Sequence, residues 1–76
     1  MTKEDFDKLE WQFVSHLALE DEHCTTHRCI NAPEGHTFSI CSHVTTGVRR
    51  RCYHHYMIDG KVCKSENKLM EAIKDI

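Results

Sequence analysis

Three features of this 76-residue sequence point to a small two-layer α+β sandwich of order α-β-β-β-α, an antiparallel sheet with two helices on one face, stapled by zinc. Apolar residues recur at helical spacing near the start and again at the end. Between them, residues 37–64 hold alternating segments separated by turn dipeptides. Five Cys and seven His make roughly one residue in six a potential metal ligand. A chain this short buries only about 60% of its unfolded surface, so its core alone leaves stability marginal and a staple is expected. The whole of residues 1–76 reads as one small domain.

Thr2 followed by Asp5 has the form of a capping box, with Asp in place of the usual Glu. Phe6, Leu9, Phe13 and Leu17 then recur at helical spacing, which predicts a helix from about residue 3 to residue 20. Its acidic first turn suits the helix dipole. Trp11, Val14 and Ala18 form a flanking stripe. Residues 21–36 are polar and contain the breaker Asn31-Ala32-Pro33-Glu34-Gly35. They also carry His23, Cys24, His27 and Cys29, which predicts a Cys/His loop pinned by a metal.

Residues 37–44 alternate strictly, with Phe38, Ile40 and Val44 on one side. Thr46-Gly47 suits a two-residue hairpin turn, and residues 48–58 read as the return strand. Asp59-Gly60 is the strongest turn signal in the chain, and Lys61, Val62 and Cys63 follow it as a short third strand. Ser65 caps a last helix over about residues 66–76, with Leu69, Ala72, Ile73 and Ile76 facing inward. A turn at Thr46-Gly47 pairs Thr45 with Val48 and sets Cys41 opposite Cys52. His43 then faces Arg50, Ser39 faces His54 and Thr37 faces Tyr56. Side chains alternate across a strand, so Cys41, His43, Cys52, His54, Tyr56 and Cys63 share one face. Phe38, Ile40, Val44, Tyr53, Met57 and Val62 share the other, which the helices should cover.

No continuous apolar leader is visible in the first twenty residues, so the expected location is the cytoplasm. Disulfides are rare there, and five Cys cannot all pair within one chain. Metal binding is then the expected use of the clustered Cys and His. The spacings are Cys24-x4-Cys29, then Cys41, Cys52 and Cys63, with no CxxC knuckle. The predicted structural zinc ligands are Cys24, Cys29, Cys41 and Cys52, with Cys63, His27, His43 and His54 as substitutes. Four protein ligands close the site and contribute folding energy.

Charge is segregated along the chain. Residues 1–22 carry a net charge of -5 and residues 23–64 a net charge of +4, within a total of -2. There are no 18 consecutive apolar residues, so no membrane partner is expected. The expected function is that of a small non-enzymatic regulator or inhibitor that binds a cellular protein; no catalytic residue is assigned. Arg49, Arg50, Arg51, Tyr53, His55 and Trp11 are the candidate partner-binding residues, because Arg and aromatic side chains anchor interfaces.

The alternative is a nucleic-acid-binding module, in which the Arg run holds phosphates and the adjoining aromatic residues stack on bases. The predicted order of elements is similar to that of the double-stranded-RNA-binding fold. That family's basic cluster at the last helix is missing, since Ser65-Glu66-Asn67-Lys68 has one Lys. A third possibility is a metal-dependent nuclease. His54-His55, Asn67 and Asp75 loosely resemble the His-Asn-His pattern of ββα-metal endonucleases, with Asp75 standing where that family has its last His.

Overall fold

Thr2 opens the first helix, α1 (Lys3–Asp7): its hydroxyl accepts the Asp5 N–H, and the Asp5 carboxylate accepts the Thr2 N–H. This is the reciprocal capping box that the sequence predicts. In the structure, a computed structural model that describes residues 1–47 and 49–76, the helix ends at Lys8 instead of running to residue 20. The next segment is an extended strand, β1 (Trp11–Ala18). Its aromatic and β-branched residues favour a pleated surface, and pairing with the following segment gives its backbone partners that a lone helix would lack. The helical spacing of Phe13 and Leu17 with Phe6 and Leu9 is coincidental, since Phe13 and Leu17 remain more than half exposed.

The predicted loop over residues 21–36 is also corrected. Glu22–Cys29 forms β2, paired antiparallel with β1, and only the stretch from Ile30 to Thr37 connects onward. Three further strands follow: β3 (Phe38–Thr45), β4 (Cys52–Ile58) and β5 (Lys61–Cys63). The last helix is α2 (Glu66–Ile73), whose N-cap Ser65 accepts the Lys68 N–H. The class is α+β, with two short helices and one five-stranded antiparallel sheet in the order β1-β2-β3-β4-β5. The additional strands remove the likeness in element order to the double-stranded-RNA-binding fold.

Register decides what each face carries. Between β4 and β5, the turn residues Asp59 and Gly60 both have positive φ, 52° and 84°. This is the conformation of a two-residue type I′ hairpin, and it pairs Met57 with Val62 and Tyr56 with Cys63, as the sequence predicts. Between β3 and β4 the prediction is wrong by three residues. Cys41 pairs with His55, His43 with Tyr53, Ser42 with His54 and Val44 with Cys52. The expected partner of Thr45, Val48, lies outside the described residues.

In the observed register Thr45 is bonded to Arg51. Its hydroxyl accepts the Arg51 N–H at 2.8 Å, and the Thr45 N–H donates to the Arg51 carbonyl at 2.9 Å. β3 ends at Thr45 and β4 begins at Cys52. Arg49, Arg50 and Arg51 are therefore exposed ahead of β4, where three adjacent like charges stay hydrated. An odd shift inverts the alternation. Cys52, His54, Tyr56 and Cys63 join Phe38 and Ile58 on the face under the helices, and Cys41 and His43 point away from it.

Helix packing covers only one end of that face. Phe6, Phe38, Leu69, Ile73, Ile58, Cys63 and Cys29 are buried and form the core, with Trp11 and Tyr56 packed against it. Phe6 sits at the centre: its ring lies 5.4 Å from Trp11, 5.6 Å from Phe38 and 5.5 Å from Tyr56. The Met1 amino group donates to carbonyls at the end of α2, which ties the two helices together. At the other end β1 joins β2 and β3 leads to β4, and among the described residues no helix covers that end. The long dimension of the molecule, 41 Å against 24 and 20 Å, reflects this half-covered sheet.

Candidate metal centre

β2, β3 and β4 bring a set of donor side chains together on the face away from the helices. On β3, Cys41 and His43 are two apart and so point the same way. Cys24 on β2 lies opposite His43, and His55 on β4 lies opposite Cys41. Cys41, His43 and His55 place ligand atoms within 4.8 Å of one another; so do Glu22, Cys24 and His43. Either group could hold a metal ion.

His43 is common to both groups and is the hub of this face. Its Nδ1 lies 3.1 Å from the Glu22 carboxylate and 3.1 Å from the Cys24 sulfur. Its Nε2 lies 3.3 Å from the Cys41 sulfur. The ring stacks on Tyr53, with centroids 4.7 Å apart and planes 8° from parallel, and on His55 at 5.2 Å. The Tyr53 hydroxyl in turn donates to Glu22. Stacked on two rings and contacted at both nitrogens, the His43 side chain is only 15% exposed.

Neighbouring groups shift three of these residues. Burial raises the Cys24 thiol above its ordinary value, and the nearby Glu22 and Cys41 add to the rise. The hydrogen bond to Glu22 raises Tyr53. Burial lowers His55, reinforced by His43, Lys64 and His54, and this favours its neutral form. Neutral imidazole is the form that ligates metals.

The predicted four-cysteine set is not assembled. Cys24 and Cys41 lie on this face, whereas Cys29 and Cys52 lie on the other, at opposite ends of the sheet. Cys29 is buried in the core, and its thiol donates to Asn31. Cys52 is exposed, in a shallow groove it shares with Lys3, His54 and Lys64. Of the substitutes, His43 belongs to the cluster. Cys63 is a core residue, and His27 and His54 lie on the helix side beside Phe13 and Tyr56.

Two members were not assigned to metal by sequence reasoning. The sequence pattern marks His55 only as a candidate partner contact and does not mark Glu22. The signals that point to them are the alternating donors Glu22-x-Cys24 and Cys41-x-His43, legible once both segments are taken as strands.

The remaining predicted contact residues are scattered. Arg49, Arg50 and Arg51 are exposed in the turn after β3. Hydrogen bonds from Thr46 to the Asp21 and Glu20 carbonyls set that turn beside the acidic one after β1. Charges that are segregated in sequence are thus adjacent in space. Trp11 packs on Phe6 at the margin of the core. The nuclease-like residues do not converge. His54 and His55 point to opposite faces, and among the described residues neither His54 nor Asp75 belongs to a cluster at metal-binding distance. Among the described residues, no helix is long and apolar enough to cross a membrane.

Comparison of the chain with protein-family models, with curated proteins and with solved structures finds no match.

Proposed function

We propose that this chain is a small regulatory protein that binds another protein through the free edge of β1, in a reducing compartment such as the cytoplasm, with a zinc ion on its Cys/His face. The observation that carries this reading is the edge itself. From Trp11 to Ala18 the strand has no charged residue, and Phe13, Val14 and Leu17 are each more than half exposed. Among the described residues, no strand pairs with its outer side. Edges that stay free are ordinarily blunted by charge or proline. An open apolar edge fits an extended segment of a partner, held by backbone hydrogen bonds and by alternate side chains on the two faces. The bulge between Phe13 and Ser15 limits how far such pairing extends. Glu10, Glu20 and Asp21 flank the strand, so the complementary segment is apolar with basic ends.

Zinc fits the mixed thiol and imidazole donors of the opposite face, and it would clamp β3 to β4. Nucleic-acid binding is the weaker reading. The acidic turn beside Arg49, Arg50 and Arg51 lowers the positive potential that phosphate contacts require.

Affinity capture with the parent chain, with Val14→Glu/Leu17→Glu and with Arg49→Ala/Arg50→Ala/Arg51→Ala tests the reading. The expected result is one protein retained by the parent and the Arg variant and lost by the edge variant. Retention of nucleic acid that falls steeply with salt and is lost only in the Arg variant would overturn it.

A further inference from the structure

The two donor triplets meet at one imidazole, and the chemistry of that ring decides between them. A neutral imidazole has one N–H and one lone pair. Nδ1 of His43 lies 3.1 Å from both the Glu22 carboxylate and the Cys24 sulfur, and because a carboxylate only accepts, Glu22 favours the tautomer with the proton on Nδ1. In that tautomer the lone pair is on Nε2, the nitrogen that lies 3.3 Å from the Cys41 sulfur, and Cys41, His43 and His55 have ligand atoms within 4.8 Å of one another. A carboxylate that orients a ligating histidine through its other nitrogen is the usual outer shell of a zinc site. Cys24 sits at the Nδ1 end, with Glu22, and so stands outside the half of the cluster that presents free lone pairs.

We propose that Cys41, His43 and His55 hold a single zinc ion, His43 through Nε2 with its ring set by Glu22, and that the fourth coordination position is open to an exogenous donor. One thiolate and two imidazoles suit zinc or cobalt over calcium or magnesium. Binding displaces the Cys41 thiol proton to solvent as the sulfur–metal bond forms. The fourth position faces out of the sheet, because all three ligands are half-buried on a face that, among the described residues, no helix covers. Its occupant is water or a thiolate, imidazole or carboxylate from a bound molecule. This inference deepens the zinc part of the proposed function and is independent of docking at β1.

Cobalt titration of the metal-stripped full chain, read by its visible d–d bands, tests the site. One equivalent should bind in four-coordinate geometry with one sulfur charge-transfer band. Added imidazole should shift the d–d bands. Cys41→Ser, His43→Ala and His55→Ala should each weaken binding by well over tenfold, and Glu22→Gln by about tenfold. Cys24→Ser should change affinity less than twofold. The circular dichroism of each variant in metal-free buffer establishes that the sheet persists, so lost binding reports lost ligation. If cobalt does not bind at all, the zinc reading itself fails. If it binds, is lost in Cys24→Ser and ignores imidazole, the zinc reading stands and the open three-ligand site is overturned. Binding lost in His16→Ala, which removes one of two histidines paired on the opposite face, also overturns it.

Discussion

The two ends of the sheet are held by different physics. At the covered end, Phe6, Phe38, Ile58, Leu69 and Ile73 are buried to 3% exposure or less and exclude water from a small apolar core. At the open end, β1 and β2 reach past the helices. Backbone ladders and polar contacts such as Tyr53 to Glu22 and His43 to Glu22 hold the side chains there. Hydrophobic burial scales with the apolar area removed from water, whereas exposed polar contacts exchange with water at little net gain. Cooperative stability should therefore reside at the covered end, and the open end should be free to bind metal and partner. Amide hydrogen exchange would show this as earlier opening of Leu17–Thr25 than of Phe38–Ile40.

Substitutions at the two ends should differ most. Phe38→Ala removes a fully buried ring and should cost about 3–5 kcal/mol, enough to unfold much of a domain this small. Leu17→Glu, at an exposed position on the open end, should stay within about 0.5 kcal/mol. Urea titrations followed by circular dichroism measure both. Comparable losses would remove the distinction between the ends.

Metal should narrow the gap. Zinc at about one hundred times its dissociation constant should stabilise the chain by about 2.7 kcal/mol. A chelator should reverse the gain, and Cys41→Ser should abolish it. Thermal melts with and without zinc decide the matter.

The caps belong to the covered end and should matter less. Ser65→Ala removes the acceptor for the Lys68 N–H and should cost about 1 kcal/mol; Thr2→Ala should cost a similar amount.

A smaller, pH-dependent effect should appear where β3 begins. Asp59 accepts from His36 and from the Thr37 N–H, and these contacts hold its carboxyl below the ordinary range, the His36 bond contributing most. As pH falls, the unfolded chain takes up the Asp59 proton first. The stabilisation is therefore complete above the ordinary carboxylate range and is lost as pH falls through the lowered value. Asp59→Asn should flatten the fall in urea midpoint as pH drops through and below the ordinary carboxylate range. An unchanged slope would show that the contact contributes nothing. The Arg49→Ala/Arg50→Ala/Arg51→Ala variant should change stability least, within about 0.5 kcal/mol, because these side chains are in solvent.

The parts of the fold legible in the sequence are those set by local chemistry. Thr2 and Ser65 cap helices because their hydroxyls meet N–H groups three residues on. Asp59-Gly60 makes its turn because both residues tolerate positive φ. The excess of Cys and His announces donor chemistry whatever the fold. The segment from Trp11 to Ala18 was not legible, because its apolar residues satisfy helical spacing and its β-formers satisfy a strand. The ligand set followed the β3–β4 register, which is set by pairing along the whole ladder from the Phe38–Ile58 pair to the Val44–Cys52 pair. A shift of three residues exchanged Cys52 for His55 opposite Cys41.

The sequence by itself determined the α+β class, both helix caps, the last hairpin and the presence of candidate metal donors, since each follows from residues within a few positions of one another. Only the tertiary structure decided that β1 and β2 are strands, which face each Cys and His occupies and which donors meet. Those outcomes depend on backbone pairing between distant segments, and in a sheet one odd slip transfers every side chain of a strand to the other face.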